Sequence, residues 1–250
     1  MGLELADVTG DLRPDLWAAN YERESFALYR NEGQGLFLHV SRASGITALG
    51  GLFVGFGSCA VDADGDSDLD MAIANGHVIK YPQFSQRTQM PLLLMNDGNR
   101  FSRRGFPNHH FFNRPHEGRG LARGDLDCDG HLDLVFGRVN APVAMLRSSL
   151  GPQHRSLSVR LIGRRSNREA LGSQVIFHCD QGQQLRTLNG GGSYLSTNQP
   201  LLLIEIPENW LPQRLSIVWP AGYREEVPVD AELWLHGPTH SLTIVESIHN

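Results

Sequence analysis

Asp62-Ala63-Asp64-Gly65-Asp66-Ser67-Asp68-Leu69-Asp70 and Asp125-Leu126-Asp127-Cys128-Asp129-Gly130-His131-Leu132-Asp133 repeat one nine-residue pattern, with carboxylates at its first, third, fifth and ninth positions. So many like charges in one folded loop repel each other unless a hard cation sits among the oxygens. Calcium, which takes about six to eight oxygen ligands, suits alternate carboxylates turned toward one centre. The expected ligands are Asp62, Asp64, Asp66, Asp68 and Asp70 in one loop, and Asp125, Asp127, Asp129, His131 and Asp133 in the other. At the seventh position, Asp68 or His131, a backbone carbonyl is expected to complete the shell. Gly130 holds the sixth position, where a sharp turn favours positive φ; Ser67 replaces it in the other loop, which predicts some strain there.

An EF-hand begins in the same way but needs a bidentate Glu at its twelfth position, between two helices. The twelfth positions here are Ile73 and Phe136, inside short apolar runs of strand length. A solvated acidic turn would account for one such loop, since Asp and Gly favour turns for conformational reasons. Two copies with one spacing and the same downstream strand favour the metal. A third copy, Asp7-Val8-Thr9-Gly10-Asp11-Leu12-Arg13-Pro14-Asp15, keeps Asp7, Asp11 and Asp15 but has Thr at the third position. A weaker calcium site and a purely structural turn fit it equally.

The flanks repeat as well. Leu28-Tyr29-Arg30-Asn31-Glu32-Gly33 and Leu94-Met95-Asn96-Asp97-Gly98 follow the loops that begin at Asp7 and Asp62; Met145-Leu146-Arg147-Ser148 begins alike after the loop at Asp125 and then departs. Each unit reads as strand, acidic loop, strand, connection, strand, Asn/Gly hairpin and strand. Four strands per repeat with periodic Gly and aromatics predict β-propeller blades, about three of them.

These residues resemble FG-GAP/VCBS-type repeats, the calcium-loop blades of the integrin α-chain head and of the cartilage acidic protein family; Ala74-Asn75-Gly76-His77-Val78 with Tyr81-Pro82 resembles a further mark of the latter. Past about Gly151 the composition changes to alternating strands at 157–163, 173–178, 201–206, 214–219 and 241–246. There Ser166-Asn167-Arg168-Glu169-Ala170-Leu171-Gly172-Ser173, Gly192-Ser193-Tyr194-Leu195-Ser196 and Trp219-Pro220-Ala221-Gly222 resemble the ASPIC/UnbV domain. In place of the His-Phe-Gly-Leu-Gly-like stretch usual there, this chain has Leu202-Leu203-Ile204-Glu205-Ile206. The expected fold is all-β: a partial propeller of integrin α-like blades over 1–150, then a small antiparallel β-sandwich-like ASPIC/UnbV domain over 151–250.

The resemblance implies a calcium-binding, non-enzymatic binding or scaffold module, extracellular or periplasmic, with a protein or carbohydrate ligand. Its UnbV part implies a rival: an accessory protein or enzyme of secondary-metabolite biosynthesis. No nucleophile–base pair or cofactor fingerprint supports the rival. Family members are exported, yet the first residues carry no signal peptide, and about three blades fall short of the usual four to eight. The chain is thus expected to be an N-terminally truncated member, with an open arc and exposed strand edges.

A formal charge of −5 and 20% charged residues give no basic footprint for nucleic acid, and no apolar run reaches the roughly 18 residues of a membrane span. Cys59, Cys128 and Cys179 lack metal spacing and allow at most one disulfide. His109, His110 and His116 fit no zinc pattern and are expected on a rim loop. Gly190-Gly191-Gly192-Ser193 lacks both the phosphate-loop and the nucleophile-elbow context, so a tight turn or close strand packing is expected, with Trp219 in the core.

Overall fold

The computed structural model describes residues 2–151, 154–229 and 237–247. The chain is all-β with almost no helix: two short 3-10 turns, Ile46–Leu49 and Phe111–Asn113, are the helical pieces among the described residues. β1 (Leu3–Ala6), β2 (Asp15–Ala18), β3 (Ala27–Gly33) and β4 (Leu36–His39) form the first sheet in sequence order. β5 (Gly55–Val61), β6 (Asp70–Asn75), β7 (Leu92–Asp97) and β8 (Arg100–Arg103) form the second. β9 (Gly118–Gly124), β10 (Asp133–Arg138) and β11 (Ala144–Leu146) form a three-stranded third, the unit whose sequence departs from the repeat.

The C-terminal part supplies two more sheets. β12 (Arg155–Ile162) lies between β15 (Leu202–Ile206) and β18 (Thr239–Val245); β13 (Gln174–Cys179) lies between β14 (Gln183–Thr187) and β16 (Pro212–Val218), with β17 (Arg224–Pro228) outermost. This part is not wholly antiparallel as expected, because β12 and β18 run parallel.

The sequence reading differs from the structure most at the ends of the arc. β1, β5, β9, β14 and β15 are each the terminal strand of a sheet, and all five line one central cavity. β1 touches β5, β5 touches β9, and β14 touches both β1 and β15. The turn is completed where the Gln199 N–H donates to the Arg123 carbonyl at 3.1 Å. The three acidic-loop blades are therefore not left as an open arc: the two C-terminal sheets complete a five-blade propeller arrangement. Closing the ring covers the strand edges and sheet faces that an arc would expose.

Side-chain alternation explains why the second blade sits between the other two. Met71 and Ile73 of β6 pack with Trp17, Leu28 and Phe101 toward the first blade, while Ala72 and Ala74 pack with Leu121 and Phe136 toward the third. Successive residues of a strand face opposite ways, so a strand buried on both faces reads as a continuous apolar run. A separate core joins the last two sheets through Leu157, Val175, Phe177, Ile204, Ile217 and Trp219. Residues 188–201, between β14 and β15, run along the inner strands. Asn189 donates to the Leu5 carbonyl, Ser193 Oγ accepts from the Ser58 N–H, and Asn198 Oδ1 accepts from the Arg123 N–H.

Candidate functional site

All three nine-residue loops connect the first two strands of a blade and share one hydrogen-bond frame. The first carboxylate accepts from two backbone N–H groups across the turn: Asp7 from Asp11 and Leu12, Asp62 from Gly65 and Ser67, Asp125 from Asp129 and Gly130. The ninth accepts from the second residue of the loop and from the blade's third strand or the residues just after it. Asp15 takes Val8 and Asn31, Asp70 takes Ala63 and Asn96, and Asp133 takes Leu126 and Ser148. Each carboxylate thus replaces hydrogen bonds that the turning backbone cannot make for itself.

The turn also needs left-handed backbone at two places. Leu12, Ser67 and Gly130 at the sixth position have φ of 64°, 84° and 87°, and Gly10, Gly65 and Cys128 at the fourth have 68°, 79° and 60°. The strain expected at Ser67 is present, and Leu12 and Cys128 carry it as well.

Two clusters can hold a metal ion. Asp62, Asp64 and Asp70 each bring a carboxylate oxygen within 4.8 Å of the others, and Asp125, Asp127 and Asp129 do the same. Asp66 and Asp68 lie outside the first trio and Asp133 outside the second; Asp7, Asp11 and Asp15 form no such group among the described residues. Asp66 accepts from the Asp68 N–H, and Asp68 from the Gly98 N–H at 3.3 Å. The imidazole of His131 points away from its loop, 3.0 Å from Glu205 Oε1 on β15.

Charge separates the loops. Burial pushes Asp62 up to about 8, Asp70 up to about 7 and Asp66 up to about 6, with neighbouring Asp charges adding to the rise. In the third blade Arg147 reaches across the loop, 2.6 Å from Asp127 and 2.9 Å from Asp129. Burial opposes the charge of Asp129, yet Arg147 and the His131 N–H hold its carboxyl below the ordinary range. In the first blade burial pushes Asp7 up to about 6, and Arg13 sits 2.6 Å from Asp11. The middle loop alone has no arginine paired with its aspartates among the described residues.

Asp62 also faces the axis, where buried ionisable groups from the inner strands meet. Arg123 lies 3.1 Å from Glu4, and Arg186 exerts its charge on Asp62. Burial raises both Glu4 and Glu205, the latter despite His131. The cavity among them has a volume of about 30 Å³, room for a water molecule or two.

The other candidates are structural. His110 stacks on Phe106, His116 stacks on Phe111, and no metal-holding group among the described residues includes either. Gly191, Gly192 and Ser193 are left-handed, as a tight turn requires, and Trp219 is buried with its indole N–H on Glu225. The three cysteines are free. Sequence reasoning missed the Asn31, Asn96 and Ser148 N–H donors, although Asn at the same place in two units was a visible signal.

No curated protein matches the chain. An FG-GAP-like repeat model matches residues 7–73, which take in the first two acidic loops, and an ASPIC and UnbV model matches residues 163–242, whose described strands belong to the two closing sheets. Such a propeller fits a non-enzymatic binding module. The chain thus carries an FG-GAP-like repeat and an ASPIC and UnbV domain.

Proposed function

We propose that this is a calcium-stabilised, non-enzymatic binding module of the extracellular or periplasmic space. The observation that carries the metal is the convergence of Asp62, Asp64 and Asp70 in a loop without a paired arginine, where burial disfavours the charge of Asp62 and Asp70. Carboxylates so placed either take up protons or gain a cation, and a hard divalent ion with oxygen ligands suits them. Calcium would supply charge neutralisation and a fixed turn between β5 and β6. Asp62 and Asp70, which already hold the backbone, would offer their second lone pairs, and Asp64 would be the dedicated ligand.

The division at about residue 150 is part of the proposal. The last two sheets share their own core and are read as the sandwich-like ASPIC/UnbV unit, which docks edge-on to complete the ring. Loop 125–133 serves that docking: His131 pairs with Glu205, Thr239 Oγ1 lies 3.4 Å from the Asp129 carbonyl, and any side chain at Gly130 would collide with Thr239.

Melting in EDTA against melting in millimolar calcium tests the metal. At a hundred times its dissociation constant, each bound ion adds roughly 2.7 kcal/mol, so equal melting temperatures would sink the proposal. Recovery of the native protein from the cytosolic fraction of its source cells would overturn the location.

The rival, a biosynthetic accessory protein or enzyme, is favoured by the buried ionisable cluster at the axis. Against it stands the size of the cavity, about 30 Å³, where a small-molecule site needs several hundred.

A further inference from the structure

The acidic loop and the connection from β6 to β7 leave opposite ends of β6, roughly 20 Å apart for a strand of this length. Their charges are opposite too. The connection, residues 76–91, holds Lys80 and Arg87 and no carboxylate, in a chain whose formal charge is −5. Arg87 is paired with Glu117 at 2.9 Å, which leaves Lys80 and, from β8, Arg103 to face the solvent. At this end lies an open groove of about 910 Å³ lined by Lys80, Tyr81, Gln83, Phe84, Gln86 and Arg103 among others, with no carboxylate in its wall.

The side chains are prepared for contact rather than for packing. Tyr81 is 79% exposed and Phe84 52% exposed, unusual for rings in a folded loop. Lys80 lies over the Tyr81 ring, and the Arg23 guanidinium lies 4.7 Å from the centre of Phe84, so each ring is paired with a cation. Gln83 and Gln86 are exposed, and neither side chain is hydrogen-bonded among the described residues. The backbone beneath is fixed: buried His77 lies 3.1 Å from Glu22, its Nδ1 accepts from the Ile79 N–H, and Ser85 donates to Glu22. A groove held rigid beneath its exposed side chains loses little entropy on binding.

We propose that this groove binds an acidic polysaccharide, a chain of uronate-type sugars. The cations meet its carboxylates, the ring edges and faces meet sugar rings, and the two amides meet hydroxyls. An acidic peptide would satisfy the cations but presents few hydroxyls and no ring faces. The inference deepens the binding-module reading by naming its ligand class, and it does not depend on the metal.

Titration of the intact chain with short oligogalacturonates, at low salt and in EDTA, tests it. Saturable binding that weakens with salt is expected, and Lys80→Glu with Arg103→Glu should weaken it about tenfold, as reversing two exposed charge contacts would. Tyr81→Ala should weaken it as well, while Arg224→Glu on β17 should leave it unchanged. Absent binding, equal binding of neutral dextran, tighter binding of poly-L-glutamate or single-stranded DNA, or an unaffected double variant would each overturn the proposal. Because EDTA is present, failure here is separate from a failure of calcium to raise the melting temperature.

Discussion

Loops 62–70 and 125–133 share one aspartate ladder, one turn and one hydrogen-bond frame, yet they meet their surplus charge in different ways. The second borrows Arg147, which bridges Asp127 and Asp129, and turns His131 to Glu205. The first has no such arginine, and burial raises Asp62, Asp66 and Asp70 well above ordinary carboxylates. Equal ladders are therefore not equal in charge: one loop pairs two of its carboxylates with an arginine, and the other has none paired among the described residues.

The largest expected effect is the pH dependence of the metal-free protein. Folded values of about 8, 7 and 6 for Asp62, Asp70 and Asp66 lie above the ordinary aspartate value of 3.8. The stability these groups contribute is thus complete below about pH 4 and drains away as pH rises through the folded values. Glu246, held at about 2 by Ser166 and its neighbours in spite of burial, stays ionised from pH 5 to 8 and adds no slope there. Melting in EDTA should therefore be higher at pH 5 than at pH 8, by on the order of a few kcal/mol in stability that the buried Asp62 and Asp70 carry, exposed Asp66 adding little through solvent screening. Saturating calcium should shrink this difference, and Asp62→Asn should remove much of it. A flat or rising curve in EDTA would show that the charge of the first loop is compensated in some other way.

Asp70 and Asp64 separate the frame from the ligand. Asp70 is fully buried and accepts from Ala63 and Asn96. Asp70→Ala leaves two N–H groups without partners and should cost about 2–4 kcal/mol even in EDTA. Asp64 is exposed and accepts no backbone hydrogen bond among the described residues, so Asp64→Ala should not lower melting in EDTA and, by removing a charge that opposes Asp70, should raise it slightly. It should instead remove the roughly 2.7 kcal/mol that calcium adds at a hundredfold excess over its dissociation constant. If both variants melted alike in EDTA, the two roles would not be distinct.

The part of this comparison that local pattern records was legible in the sequence. Strand positions followed from alternation and turn residues; the expected strand at 157–163, for example, is β12 at Arg155–Ile162. Ladder spacing located the turns because the same nine-residue frame is built three times. Two things were not local. Arg147 lies far along the chain from Asp127, and only the antiparallel return of β11 beside β10 brings it to the loop. Closure of the ring depends on β14 and β15 presenting their edges to the axis. Alternation marks those residues as strand but says nothing of which edge faces inward. Glu205 in β15 shows the limit well, since it stands where the family pattern is broken, and in the structure it receives His131.

The smallest expected effect is also the most direct test of the difference between the loops. If Arg147 stands in for a cation in the third blade, its removal should improve that loop as a metal site. The Arg147 side chain is 67% exposed, so its contacts with Asp127 and Asp129 are screened by solvent and weak. Arg147→Gln should therefore tighten calcium binding at loop 125–133 by up to about tenfold, read by calorimetry in an Asp64→Ala background that silences the first loop. The same change should make melting in EDTA slightly lower, because the freed carboxylates repel each other. Weaker binding after Arg147→Gln would mean that the arginine organises the loop for the ion instead of occupying its place. The contrast between the two ladders would then lie in geometry and not in charge.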